Sequence, residues 1–288
     1  MKNRTVMAVG GCLLAGMLSA QPPKELRLYH TNDMHSRVEA FPADYADTLL
    51  AGKGGLLRRA TFIRRQRERY KDLLLLDAGD FSQGTPYYNI YRGEVEVRLM
   101  NAMRYDAATI GNHEFDYGLE NMARLFRMAE FPVVCANYDV TGTVLEDLVQ
   151  EYTVVERSGV RIGIFGIGPR LEGLVERDKF GGVKFEDPVS EAQRVVQLLR
   201  EQEKCEVVVC LSHLGWEEES YSDVELIRHT RGIDAVIGGH SHTYFEAPVC
   251  CRDLDGKEVP VQQMGKHGVF VGEMILKLKP IKDDHEKE

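Results

Sequence analysis

The chain is poor in positive charge. Its 36 Lys and Arg stand against 45 Asp and Glu, for a net charge of −9. No surplus of cations is on hand to neutralise the phosphates of a nucleic-acid polymer, so that class of partner is excluded. Linkers rich in Pro, Gly and Ser are absent, as are internal repeats and low-complexity tracts. One folded unit is therefore the simplest division of the 288 residues. Long apolar runs are also missing. The uncharged stretch 6–20 is too short for a comfortable membrane span. With Lys2 and Arg4 before it, and Leu18-Ser19-Ala20 ahead of Gln21, residues 1–20 read as a secretory signal peptide, which places the protein in the periplasm or outside the cell. Lipid attachment at Cys12, after Val9-Gly10-Gly11, is the alternative and would give the chain its one route to a membrane. Cysteine is scarce. Beyond Cys12 there are Cys135, Cys205, Cys210, Cys250 and Cys251, an odd number that does not suggest a disulfide framework. Cys135 and Cys210 lie in apolar runs and read as buried small hydrophobes.

What is present is an alternation of strands and helices. Apolar runs predict strands over 26–29, 73–77, 107–110, 132–136, 207–211, 233–237 and 269–278, and a hairpin from 152–155 to 161–167. Helical spacing marks 54–70, 94–104, 119–129 and 190–204, the last with Ser190 as its cap. Arg58, Arg59, Arg64, Arg65, Arg67 and Arg69 alternate with Leu56, Leu57, Ala60, Phe62 and Ile63, which predicts a solvated helix face over an apolar stripe. Helices between strands, with hairpins late in the chain, imply an α/β domain with a mixed sheet or two packed sheets. Residues 21–280 form that domain, and the charged residues 281–288 a disordered tail.

Five short polar clusters each follow a strand-like run: Asp33-Met34-His35, Gly79-Asp80, Gly111-Asn112-His113-Glu114, Ser212-His213 and Gly239-His240-Ser241-His242. No cysteine falls in them. Imidazole, carboxylate and one amide oxygen suit a pair of borderline divalent cations rather than a thiolate zinc. On an extended chain residues i and i+2 share a side, so Asp33 with His35, and His240 with His242, could each reach one metal. Asp80 has two oxygens and could bridge two cations; Asp77, nearer the strand, reads as structural. Asn112 and His113 would point to opposite sides, one to metal and one to substrate. Asp116, three residues on, could accept the Nδ1–H of His113, whereas Glu114 is expected to point away. Two divalent cations against Asp33 and Asp80 leave the site about two charges positive, which favours a phosphate dianion.

Together these clusters resemble the motifs of the calcineurin-like metallophosphoesterases, specifically the secreted 5′-nucleotidase/UDP-sugar hydrolase branch. Thr31-Asn32-Asp33-Met34-His35, Gly79-Asp80-Phe81, Gly111-Asn112-His113-Glu114-Phe115-Asp116, Ser212-His213 and Gly238-Gly239-His240-Ser241-His242 follow that family's order. The resemblance implies a four-layer αββα sandwich. One metal would be held by Asp33, His35, Asp80 and His242, and the second by Asp80, Asn112, His213 and His240. A metal-bound hydroxide would attack phosphorus, while His113, paired with Asp116, stabilises the transition state or protonates the leaving oxygen. The ligand set admits zinc, manganese, iron or cobalt.

The implied substrate is a small phosphate ester, a nucleoside 5′-monophosphate first. A broad phosphomonoesterase, a 2′,3′-cyclic phosphodiesterase and a UDP-sugar hydrolase share the same core. Two departures from the family pattern stand out. Ser36 occupies a position where many relatives have Gly, and the sequence stops where full-length nucleotidases continue into a substrate-binding domain. The second departure raises the alternative of a split nucleotidase whose catalytic chain needs a separate nucleotide-binding protein. Tyr87, Tyr88 and Tyr91 could line the pocket mouth but read as surface packing. A non-catalytic metal binder would have no use for His113 and Asp116, and a thiosulfate-ester hydrolase is the remaining reading of this core.

Overall fold

The computed structural model describes residues 24–217 and 221–278. The expected signal peptide, Cys12 and the charged tail lie outside the described residues. The first half of the chain runs β1 (Lys24–Thr31), α1 (Leu56–Arg69), β2 (Leu74–Asp77), α2 (Pro86–Tyr91), α3 (Glu94–Met103), β3 (Ala107–Ala108), α4 (Gly118–Met128), β4 (Val133–Val134), β5 (Tyr138–Asp139) and β6 (Val149–Gln150). The second half runs β7 (Tyr152–Arg157), β8 (Val160–Ile167), β9 (Lys184–Phe185), α5 (Pro188–Glu201), β10 (Val207–Ser212), α6 (Asp223–Arg228), β11 (Ala235–Gly238), β12 (Val249–Arg252), β13 (Glu258–Gln262) and β14 (Gly272–Leu278).

Two six-stranded sheets result, ordered β14-β1-β2-β3-β4-β6 and β12-β13-β11-β10-β8-β7. The inner strands are parallel, and antiparallel neighbours flank them: β14 beside β1 in one sheet, β12 beside β13 and β7 beside β8 in the other. Period-two alternation decides what each face does. Leu26, Leu28, Leu74 and Leu76 turn inward and meet Ile162, Ile164, Val207, Val209 and Leu211 of the facing sheet. Tyr29, Leu73 and Leu75 turn outward under Ile63, Met100 and Leu125 of α1, α3 and α4. Val208, Cys210 and Val236 do the same under α5 and α6. Strands covered on both faces must be apolar throughout, which is why β2 reads Leu-Leu-Leu-Asp and β10 reads Val-Val-Val-Cys-Leu-Ser. The result is the αββα sandwich. Leu76 is fully buried between the sheets, where truncation to Ala would cost about 2–5 kcal/mol.

The principal strands and helices stand where the sequence places them, with shifts at the ends. Helix α5 begins two residues before Ser190. Its cap is Asp187, whose carboxylate accepts the Ser190 N–H at 2.8 Å, and Pro188 supplies the preset first helical turn. The final strand begins at Gly272 rather than 269. The basic face of α1 is solvated at Arg58, Arg64, Arg65 and Arg69, but Arg59 is buried. Its guanidinium contacts the Met34 sulfur and donates to the Gly268 carbonyl at 2.8 Å. Cys135 and Cys210 are buried, as their apolar runs predict.

Candidate metal centre

The five polar clusters leave the sheets at the carboxyl ends of β1, β2, β3, β10 and β11, where α/β sheets bind their ligands. The first two loops are zipped together by backbone: Asp33 N–H donates to Gly79 O at 2.9 Å, His35 N–H to Asp80 O at 3.0 Å, and Ser36 N–H to Phe81 O at 2.9 Å. Side-chain oxygens join the others. Asp80 Oδ1 accepts the His113 N–H at 2.9 Å, and Asp33 Oδ2 accepts the His240 N–H at 3.0 Å.

The clusters are not extended. Asp33, His35, Asp80, His240 and His242 all have left-handed backbone, with φ of 48°, 44°, 55°, 73° and 55°. Asn112 is helical, and a 3₁₀ turn runs from His113 to Phe115. The extended i, i+2 argument for Asp33 with His35 and for His240 with His242 therefore fails, as does the opposite-sides argument for Asn112 and His113. Each chain turns sharply off its strand end, and the side chains converge because of those turns. Left-handed non-glycine residues each carry a conformational cost and gather at functional sites. Ser36, at φ 54°, adopts the backbone that glycine favours, and its hydroxyl donates to the buried Glu96 carboxylate.

Among the described residues three sets of ligand atoms lie within 4.8 Å of one another: Asp33, His35 and His242; Asp33, Asp80 and His213; and His35, Asp80 and His113. Within them His35 Nε2 and His242 Nε2 are 3.0 Å apart, and Asp80 Oδ2 is 3.1 Å from His213 Nε2. Asp33 Oδ1 lies 3.4 Å from His242 Nε2 and 3.9 Å from His213 Nε2. His240 falls outside these sets, with its ring 5.3 Å from that of His213. His113 enters the third set, but its Nδ1 is engaged by both oxygens of Asp116 at 3.2 Å.

The donors fit a divalent cation. Asn112 Oδ1 is sealed from water without a hydrogen-bond partner, an arrangement that is costly unless a ligand completes it. The Ala78 carbonyl lies 2.6 Å from His213 Nδ1, which fixes that ring and turns Nε2 toward Asp80. Burial pushes the His213 pKa down, but Asp80 and Asp33 outweigh it and carry it up to about 10. Burial likewise opposes ionisation of Asp80, and the imidazoles of His213, His113 and His35 hold it below the usual carboxylate range. Burial lowers the His113 pKa, yet Asp116 and Asp80 more than offset it, so His113 keeps its proton more readily than a free imidazole.

Asp77 turns away from the centre. It accepts from Thr31 Oγ1 at 2.6 Å and Gly79 N–H at 3.1 Å, and burial carries its pKa up to about 8. Glu114 also turns from His113, and braces the backbone of the Asp80 and Gly111 loops. Two glycines are required by close approach. A Cβ at Gly79 would sit 2.7 Å from Gly111 N, and one at Gly111 would sit 2.7 Å from Asp80 N. Tyr88 is buried, and its hydroxyl donates to the His113 carbonyl at 3.3 Å. Tyr87 donates to Glu39 at 2.9 Å, and Tyr91 is exposed.

Sequence reasoning missed His267. This half-buried ring has its centroid 6.0 Å from that of His35, and the His267 backbone N–H donates to Asp33 O at 2.7 Å. It follows β13, where no strand was expected; placing that strand at 258–262 would have put its trailing loop at the same end of the sheet.

Comparison with known proteins follows the same lines. The sequence profile of the calcineurin-like phosphoesterase family matches residues 26–244. A snake venom 5′-nucleotidase from Crotalus adamanteus is 33% identical across 93% of this chain, and the human 5′-nucleotidase is 33% identical across 86%. The crystal structure of a 5′-nucleotidase precursor from Thermus thermophilus superposes with a TM-score of 0.81 at 34% identity, covering 89% of this chain. The chain spans about half the length of these relatives: 47%, 46% and 52% respectively.

Proposed function

Because the chain belongs to the calcineurin-like phosphoesterase family, we propose that it is an exported, metal-dependent phosphoesterase that hydrolyses nucleoside 5′-monophosphates. The observation that carries this reading is the convergence of Asp33, His35, Asp80, His213 and His242 from separate loops beside a hydrogen-bonded His113–Asp116 pair. In this reading Asp33, His35, Asp80 and His242 hold one divalent cation, and Asp80, Asn112, His213 and His240 hold a second. Bound there, the cations supply Lewis acidity toward the phosphoryl oxygens.

The remaining work falls to the chain. Asp116 fixes the His113 ring through Nδ1 and favours its cationic form. The opposite nitrogen is then a donor, first to a phosphoryl oxygen and then, as the ester bond breaks, to the leaving oxygen. Asp80 ties the two halves of the site together, since its carboxylate meets both His213 Nε2 and the His113 N–H. Glu114 keeps that carboxylate in place by gripping the Asp80 N–H. Export rests on the basic, then apolar, N-terminal segment 1–20.

The test is phosphate release by the purified mature chain with Mn²⁺ or Zn²⁺. AMP, a cyclic nucleotide, a nucleotide sugar and an aryl phosphate are compared, with His113→Ala as control. AMP preference lost in the variant supports the proposal. Aryl phosphate hydrolysis without AMP preference would place selectivity outside residues 24–278, and release from no substrate would overturn the proposal.

A further inference from the structure

The loop that carries His240 and His242 is held by a residue outside the five polar clusters. Strands β11 and β13 run parallel and end level, with Ile237 beside Gln262. The first residue past β11 is Gly239, and the first past β13 is Gln263. Gln263 is fully buried, and its side-chain amide meets the histidine loop three times. Its Nε2 donates to Gly239 O at 2.7 Å, while Oε1 accepts the Thr243 N–H at 2.6 Å and the Ser241 hydroxyl at 3.1 Å. A carbonyl can only accept and a backbone N–H can only donate, so these partners fix which way the amide faces. A Cβ at Gly238 would stand 3.1 Å from Nε2, so glycine there leaves the amide its room.

The three bonded residues alternate with the two histidines. His240 and His242 have left-handed backbone, at φ 73° and 55°. Residues other than glycine persist there only where the surroundings over-determine the turn. A buried amide bonded before, between and after the two histidines does so. Their rings serve different halves of the centre. His242 Nε2 lies 3.0 Å from His35 Nε2 and 3.4 Å from Asp33 Oδ1, whereas the His240 ring lies 5.3 Å from that of His213. The same bonds reach the neighbouring loops. Ser241 Oγ accepts the N–H of Trp216, three residues beyond His213, at 3.1 Å. Met264, next to Gln263, donates its N–H to Asn32 Oδ1 at 2.8 Å, and Asn32 Nδ2 donates to Asp33 Oδ2 at 2.7 Å.

We infer that Gln263 is a positioning residue that sets His240 and His242 together and thereby couples the two cation positions. The inference rests on the two-cation reading above and deepens it. Gln263 acts through the loop, by holding two strained turns ready before either cation arrives. Without the amide, each binding event would have to form those turns itself. Loss of Gln263 therefore weakens both cations together, whereas loss of a single histidine falls first on its own cation.

The experiment titrates the metal-free wild-type chain, Gln263→Met and Ser241→Ala with Co²⁺, followed by visible absorption and by chelator competition. Leu199→Ala, at a fully buried position of α5, gives the baseline for a variant that is only less stable. Methionine matches glutamine in length and lacks its amide donor and acceptor. Gln263→Met is expected to bind both Co²⁺ equivalents about 10–100-fold more weakly, with altered absorption. Ser241→Ala, which removes one bond to the amide, should weaken both about fivefold. Wild-type affinity in Gln263→Met, a loss confined to one equivalent, or a loss no greater than that of Leu199→Ala would overturn the inference. If Gln263→Met does not fold, Ser241→Ala decides: a matched loss at both equivalents upholds the inference, and unchanged affinity overturns it. Phosphate release is measured separately. A wild-type chain that binds two Co²⁺ and hydrolyses nothing would sink the phosphoesterase reading alone, and the titrations still decide the role of Gln263. A wild-type chain that binds no Co²⁺ would overturn that role as well.

Discussion

Glu114 Oε2 accepts the backbone N–H of Asp80 at 2.9 Å, so a carboxylate outside the ligand groups governs where the Asp80 carboxylate stands. The same oxygen takes Gly111 N–H at 2.7 Å, and Oε1 takes Ser82 N–H at 3.1 Å. Glutamine has one acceptor oxygen and would turn an NH₂ toward one of these donors. Glu114→Gln should cost about 1–3 kcal/mol of stability, the penalty for one unsatisfied buried donor. It should also weaken metal binding about 10–100-fold, as losing a ligand's support does. Thermal melting and a Zn²⁺ titration measure the two effects, and wild-type metal affinity in the variant would mean that Glu114 only packs.

Removing His113 and removing its partner should differ in degree. His113→Ala is expected to lower kcat about 10²–10⁴-fold with little change in KM. Asp116→Asn should lower it about 10–100-fold, because the ring stays but its orientation and charge lose support. Steady-state kinetics on both variants check the order. A larger loss in Asp116→Asn than in His113→Ala would refute the assignment of Asp116 as the orienting group.

Gly111→Ala tests how tightly the β2 and β3 loops are apposed. The added methyl would stand 2.7 Å from Asp80 N, so the Asp80 turn must shift. A displacement of about 1 Å at a catalytic group costs on the order of 10²-fold in rate. We expect at least that loss, together with reduced metal content by elemental analysis. Full activity in this variant would show that Asp80 can move without consequence.

Acid should destabilise the fold through His30. This ring is fully buried, with Nε2 3.1 Å from Gln262 Oε1, and burial lowers its pKa to about 4 from the usual 6.5. Between these values the unfolded chain binds a proton that the folded chain does not, so stability falls as pH drops from 6.5 toward 4 and levels off below. The contribution is about 1.4 kcal/mol per pH unit within that window. Urea melts of the wild-type chain and His30→Gln across pH 4–7 should therefore converge as the pH falls. Parallel curves would show that His30 does not carry this dependence.

Much of this was legible because polarity interrupts long apolar runs. Asp33, Asp80, His113, His213 and His242 could be found as charges at the ends of strands that must be apolar on both faces, and their residue types named the chemistry. Their geometry was not legible. Nothing in Asp-Met-His or His-Ser-His announces four left-handed residues, since that conformation is imposed by the loops hydrogen-bonded across the site. Short strands such as β3 (Ala107–Ala108) and β6 (Val149–Gln150) carry too few residues for a period to register. In β13 (Glu258–Gln262) Pro260 obscures the pattern, and with that strand went its loop and His267. Arg59 misled for a different reason: a basic run looks solvated, and the one arginine turned inward is identified only by what it reaches, Met34 and Gly268.

The chain changes sheets in a single step. Strand β6 ends at Gln150 and β7 begins at Tyr152, with Glu151 alone between them. Apart from β14, which returns to pair with β1, a cut at Glu151 would divide the molecule into one piece per six-stranded sheet. Asp33, His35, Asp80, Asn112 and His113 would leave with the first piece, and His213, His240 and His242 with the second. Neither piece holds a complete centre, while the leucines and valines between the sheets and the β1–β14 ladder would draw the two together. Phosphate release from a mixture of the two fragments would then count reassembled molecules, so the same architecture that builds the site also makes the protein a candidate complementation reporter.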